Sequence, residues 1–134
     1  MDPFRDFNRS EALSLGVEWE IALVDPKTRD LVPFAAEVID AVEQRWPGTH
    51  LEKEFLKNTI ELVTPICDTT AEAMEYLRET KDKIQQVADE KNLKLWAGGG
   101  HPFADFRTQP VGDKPTYKEL SLIHISEPTR RTPI

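Results

Sequence analysis

The segment Gly16-Val17-Glu18-Trp19-Glu20-Ile21-Ala22-Leu23-Val24-Asp25-Pro26 sets the tightest limit on what this chain can fold into. Its alternation has the period of a strand, because successive side chains of an extended chain point to opposite faces. Val17, Trp19, Ile21 and Leu23 then share one face, and Glu18, Glu20 and Ala22 share the other. One face wants a core. The other carries two carboxylates about 7 Å apart between Cα atoms, at ~3.4 Å rise per residue. Like charges side by side on a strand repel. That face is therefore either wet or covered by something positive.

The rest of the chain supplies partners for such a strand. Ser14 to Val24 reads as the first strand, closed by the turn signal Asp25-Pro26, with a short return strand near Leu31 and Val32. Ala35, Val38, Ile39, Val42 and Trp46 recur at helical spacing before Pro47-Gly48. Strand-like text returns at "HLEKEFLKNTIELVTP", with Ile60 and Leu62 on one face and Thr59, Glu61 and Val63 on the other. A long amphipathic helix follows Cys67. Asp68, Thr69 or Thr70 is its N-cap, and Ala73, Leu77, Ile84, Val87 and Ala88 form its apolar stripe. "LKLWA" is a short strand, "GGGHPF" a turn, and residues 106–115 a proline-rich loop. The expected fold class is α+β, a mostly antiparallel sheet with helices packed on one face.

Charge and composition exclude several functions. The 134 residues carry 17 basic and 24 acidic side chains, a net of -7, which argues against a nucleic-acid backbone as partner and is compatible with bound cations. The one cysteine, Cys67, cannot form an intrachain disulfide, so a cytoplasmic setting is expected. No apolar run approaches the ~18–20 residues that span a bilayer. Residues 1–13 read as a polar lead-in, too polar for a secretory signal. Residues 121–134, "SLIHISEPTRRTPI", break the style of the chain and resemble the translated read-through of a sequencing adapter. On that expectation residues 14–120 form the native part, and His124, Arg130 and Arg131 are kept out of any mechanism.

Five side chains are candidates for a cation site: Glu18, Glu20, Glu54, Glu61 and His101. Carboxylates with one imidazole suit Mg²⁺ or Mn²⁺ better than zinc. Each also has a plainer role. Glu18 and Glu20 fit a solvated sheet face, and Glu52 and Glu54 a charged edge strand that discourages aggregation. Glu61 fits an ion pair with Lys or Arg, and His101 a structural hydrogen-bonding ring. On one regular strand the odd spacing of Glu54 and Glu61 would put them on opposite faces. A turn or bulge at Leu56-Lys57-Asn58 would bring them together. Cys67 reads as a buried small hydrophobe. "AGGGHPF" lacks the Lys-Ser/Thr of a phosphate-binding loop.

Taken in order, "LGVEWEIALVDP", "LEKEFLKNTIELVTPIC" and "GGGHPFADFRTQPVGDKPTYKEL" resemble the N-terminal part of family-2 glutamate–cysteine ligases, also described as ATP-dependent carboxylate–amine ligases. The resemblance runs from about Leu15 to Leu120 and rests on three linked motifs. These are Gly-Val-Glu-x-Glu, Asn-x-x-Glu-Leu-x-Thr-Pro and His-Pro-Phe-Ala. It implies a fold similar to the catalytic domain of glutamine synthetase. It also implies that Glu18, Glu20 and Glu61 bind Mg²⁺ at the phosphates of ATP, with Glu54 and His101 at matching positions and Arg107 and Gln109 on the substrate side. The implied reaction joins the γ-carboxylate of glutamate to the amine of cysteine through an acyl phosphate. The implied partners are an amino acid, an amine and ATP, and a homo-oligomer is compatible. An acceptor other than cysteine, or a non-catalytic metal-binding or interaction module of the same ancestry, stays open. "GGGHPF" departs from the usual Gly-Thr-His-Pro-Phe, and Thr116 stands where an arginine often precedes the tyrosine. The histidine-rich strand that the resemblance places soon after Leu120 is missing. Little or no ligase activity, and an exposed sheet edge, are therefore expected of this chain alone.

Overall fold

A computed structural model describes residues 13–117 and 119–120. The expectations for the lead-in before Leu13 and for the tail 121–134 lie outside the described residues. Four strands form one antiparallel sheet: β1 (Glu18–Val24), β2 (Leu51–Lys53), β3 (Thr59–Val63) and β4 (Lys94–Trp96), in the order β2-β3-β1-β4. Helices α1 (Ala35–Arg45) and α2 (Thr70–Glu90) connect the strands, and a 3-10 turn, η1 (Phe106–Thr108), follows β4. This is the α+β arrangement expected.

The sheet has one dry face because the alternation of β1 and β3 agrees. Ile21 and Leu23 from β1, Ile60 and Leu62 from β3 and Leu51 from β2 are buried. They meet Ala35, Val38, Ile39 and Val42 of α1 and Leu77, Ile84, Val87 and Ala88 of α2. Val17 and Trp19 pack against the margin of this cluster. Both helical stripes coincide with those expected, and α2 also buries Thr80. The N-cap of α2 is Thr69, whose Oγ1 accepts from the Glu72 N–H at 3.2 Å. The Glu72 carboxylate reaches back to the Asp68 N–H at 2.9 Å, a variant of the capping box.

Two boundaries differ from expectation. Strand β1 starts at Glu18, and among the described residues before it Leu15 forms one bridge, to Cys67. The return strand near Leu31 is likewise one bridge, Val24 to Leu31. The intervening turn is built by Asp25, whose Oδ1 accepts from the Lys27 and Thr28 N–H groups at 2.7 and 2.8 Å. These bonds hold the Asp25 carboxyl below its ordinary value. The turn is tight, with Arg29 at φ 65°, so too few residues remain to pair as a second strand. Cys67 is buried with its Sγ 3.2 Å from the Pro65 carbonyl oxygen, the structural role expected of it.

Leu62 sits at the centre of the dry face with no exposed surface. Leu62→Ala is expected to cost about 2–5 kcal/mol of unfolding free energy. Val63→Ala, on the opposite face, is expected to cost clearly less. Urea midpoints of the two variants check this, and equal losses would contradict the assignment of faces.

Candidate functional site

The wet face of the sheet is built by strand register. Glu20 pairs with Glu61 across β1 and β3, and Glu61 pairs with Glu52 across β3 and β2. Directly paired residues share a face with Cβ atoms about 4.5–5.5 Å apart. Glu20, Glu61 and Glu52 therefore form a row across three strands. Glu18, opposite Val63, stands diagonal to Glu61 on the same face. The core holds this row in place, because a one-residue slip would turn Ile60 and Leu62 out to solvent.

The turn expected between Glu54 and Glu61 is present. Residues 54–58 leave the strand geometry, and Lys57 and Asn58 form the turn itself. Reversal of the chain makes face parity depend on the register, not on spacing. Glu52 thus lands beside Glu61 although nine positions separate them. Glu52, set aside in the sequence as an edge charge, is the carboxylate that sequence reasoning missed. Register supplies the signal for it, once the turn is recognised. Glu54 lies just past the end of β2. Its carboxylate is hydrogen-bonded by the neighbouring Phe55 N–H, and it lines a cavity with Lys53 and Lys57.

Electrostatics single out Glu61. Partial burial pushes its carboxyl above the ordinary value, and the nearby charges of Glu18, Glu54 and Glu52 push it further, with a side-chain hydrogen bond to Glu18. Among the described residues, the ion pairs with Lys or Arg are made elsewhere and none neutralises Glu18, Glu20 or Glu61. Glu52 has only His50, at 3.2 Å. Among the described residues no three His, Cys, Asp or Glu side chains are drawn together tightly enough to form a metal centre as they stand. The donor set nevertheless fits a hard divalent cation. It is all carboxylate, placed on one face by backbone register, and Glu18, Glu20 and Glu61 have no Lys or Arg partner among the described residues.

His101 is placed differently. Its Nε2 lies 2.7 Å from the Arg29 carbonyl oxygen, and its Nδ1 lies 3.1 Å from the Ala104 nitrogen. The partners assign Nε2–H as donor and Nδ1 as acceptor, so both nitrogens serve the main chain. Ligation by this ring would require giving up one of those bonds. His101 does share a cavity of about 190 Å³ with Glu20. Arg107 is held by Asp105, through Nε at 3.0 Å and Nη2 at 2.9 Å. The guanidinium lowers the Asp105 carboxyl and is itself raised. Gln109 Oε1 accepts from Asn58 Nδ2 at 3.1 Å. Asn58, only 1% exposed, lines the cavity with Glu20 and His101. That link joins positions 51 apart, which sequence pattern has no means to show.

A pH effect follows from Glu61. Its folded value lies above the unfolded one, so the protonated form favours folding. That stability is fully present below the ordinary carboxyl value and is lost as pH rises through the raised folded value. Glu61→Gln is therefore expected to be more stable than the wild type at neutral pH, with the gap closing in acid below about 4.5. Thermal midpoints across pH 4–8 without divalent ions measure this, and a gap that widens in acid would contradict it.

The chain is similar to a family of known proteins. The family described as glutamate–cysteine ligase family 2 matches residues 14–126. A protein of Corynebacterium glutamicum (strain R) named "Putative glutamate--cysteine ligase 2" is 53% identical over 115 residues, 86% of this chain and 31% of that protein. One of the same name from Corynebacterium jeikeium (strain K411) is 44% identical over 109 residues, 81% of this chain and 28% of that protein. A third, from Mycolicibacterium paratuberculosis, is 44% identical over 119 residues, 89% of this chain and 31% of that protein. The chain spans about a third of the length of these relatives. With the family match covering most of its residues, the chain belongs to glutamate–cysteine ligase family 2.

Proposed function

We propose that this chain provides the metal-binding face of an ATP-dependent carboxylate–amine ligase that joins glutamate to cysteine. The observation that carries the reading is the carboxylate row Glu20–Glu61–Glu52, with Glu18 alongside, on the open face of a sheet whose other face is core. The names of the similar proteins support the activity. Glu18, Glu20 and Glu61 would hold Mg²⁺ or Mn²⁺, and Glu52 adds charge to the same row. Glu54 and His101 stand at its margins. The bound ion would supply charge neutralisation for the phosphoryl group in transfer.

The chemistry needs no protein nucleophile. An oxygen of glutamate's γ-carboxylate attacks the γ-phosphorus of ATP, the bond to the β,γ-bridging oxygen breaks, and ADP leaves. The amine nitrogen then attacks the acyl carbon, the C–O bond to phosphate breaks, and the amide forms with loss of a proton. The residues of this chain position and neutralise, and most of that work falls to carboxylates. Arg107 and Gln109 belong to the substrate side in this reading. Asp105 aims the Arg107 guanidinium, and Asn58 orients the Gln109 amide. No helix among the described residues is long and apolar enough to cross a membrane.

Calorimetric titration with Mn²⁺ and Mg²⁺ tests the metal face. Glu18→Gln and Glu61→Gln are each expected to weaken binding by roughly tenfold or more, since even indirect disturbance of a metal site costs about that much. Equal affinity in the wild type and both variants would remove the basis of the proposal. Little or no glutamate- and amine-dependent phosphate release from ATP is expected of this chain alone, and release at an ordinary enzymatic rate would contradict that expectation.

A further inference from the structure

The wet face of the sheet changes character along β1. Glu18, Glu20, Ala22 and Val24 alternate onto it, two charged residues and then two apolar ones. Ala22 pairs with Trp96 of β4, so the indole stands on this same face. Its place is the next same-face position along β1 from the Glu20–Glu61 pair. The acidic row thus borders an aromatic wall.

That wall encloses a cavity of about 270 Å³. Val24, Leu95 and the rings of Trp96, His101 and Phe103 line it, with Arg29 as its one charged side chain. The His101 ring lies 5.9 Å from that of Trp96 and 4.4 Å from that of Phe103, centroid to centroid. The main chain fixes two of the three rings. Trp96 Nε1–H donates to the Gly100 carbonyl oxygen at 3.1 Å, and His101 is held between Arg29 and Ala104. Gly98 lies against the indole, where a Cβ would stand 2.7 Å from Cζ2, so glycine there is a condition of its position. Phe103 keeps 59% of its surface exposed. Aromatic faces fixed in advance, one of them open, are what a flat π-system stacks on.

Trp96 and His101 also line the cavity of about 190 Å³ that contains Glu20, so the two cavities adjoin. Gly99 and Gly100 line the smaller one without a side chain.

Chemistry selects the occupant. A molecule spanning both cavities needs an anionic end that a metal on Glu18, Glu20 and Glu61 would hold, and a flat, weakly polar end for the rings. Of the three reactants in the proposed ligation, ATP alone has both. Glutamate and cysteine carry no ring. The larger cavity is below the ~300–1,000 Å³ of sites that enclose a drug-sized ligand, room for a base and not for a whole nucleotide. Arg29 favours the same occupant, because a planar guanidinium stacks on π-faces.

We propose that the cavity walled by Trp96, His101 and Phe103 is the subsite for the base of ATP, and that the triphosphate runs past Trp96 to the carboxylate row. The assignment deepens the ligase reading and rests on it for the nucleotide.

The test reads binding alone. Amide chemical shifts of this chain are followed during titration with adenosine, benzyl alcohol, and ATP or tripolyphosphate with Mg²⁺. Adenosine is expected to shift the amides of residues 95–103 most. Phe103→Ala is expected to weaken adenosine and Mg²⁺-ATP about fivefold or more, the low end of one base–aromatic stack, and to leave Mg²⁺-tripolyphosphate unchanged. Trp96→Phe, which keeps a ring, is expected to lose less than Trp96→Ala. Adenosine shifts that avoid residues 95–103 would overturn the assignment. So would a Phe103→Ala loss shared by tripolyphosphate, or benzyl alcohol binding as tightly as adenosine, the mark of an apolar patch only. The two readings fail separately. Adenosine bound at the rings with no gain from Mg²⁺ for ATP sinks the metal face and leaves the base subsite. Mg²⁺-tripolyphosphate binding as tightly as Mg²⁺-ATP sinks the base subsite and leaves the metal face.

Discussion

Like-charged carboxylates share one face of this sheet because the opposite face cannot be given up. Favourable cross-strand pairs on a sheet are worth about 0.2–1 kcal/mol each, and directly opposed like charges destabilise. Burying an Ile or Leu side chain is worth about 1.5–3 kcal/mol. Ile21, Leu23, Ile60 and Leu62 are all buried. The core sets the register, and the register forces Glu20, Glu61 and Glu52 into line. Partial burial first, and then the charges of Glu18, Glu54 and Glu52, raise the Glu61 carboxyl above its ordinary value. A divalent cation is the ligand class that relieves such repulsion most directly.

The surroundings of the row carry the same division between placement and chemistry. Turn residues fix geometry: Asn58 holds Gln109, Asp105 holds Arg107, and His101 spends both nitrogens on the main chain. Among the described residues Glu18, Glu20 and Glu61 have no Lys or Arg partner, and Glu52 meets His50. Rigid main-chain support beside acidic side chains on one open face is an arrangement that draws cations.

Much of this was legible in the sequence, and the reasons are local. Period-two alternation in β1 and β3 named both faces, and helical spacing named the stripes of α1 and α2. The same alternation put Glu18, Glu20 and Glu61 on wet faces. Pairing is a different kind of information. That Glu61 lies between Glu20 and Glu52 depends on which strands are neighbours, and no single segment contains it. Glu52 was passed over for that reason. His101 shows the converse case. A histidine after three glycines reads either as a ligand or as a structural hydrogen-bonding ring, and the turn pairs its ring with Arg29 and Ala104. Composition narrowed the cap of α2 to Asp68, Thr69 or Thr70, of which the structure uses Thr69, whereas the contact of Asn58 with Gln109 was not readable.

The central claim is that one divalent ion is held by side chains from separate strands. Paramagnetic broadening of backbone amide resonances by substoichiometric Mn²⁺ reads the ion's position directly. The account requires the strongest broadening at Glu20 and Glu61, with Glu18 and Glu52 next and the buried side of α1 and α2 least affected. Broadening centred on the acidic surface of α2, or spread evenly over the chain's many carboxylates, would contradict it.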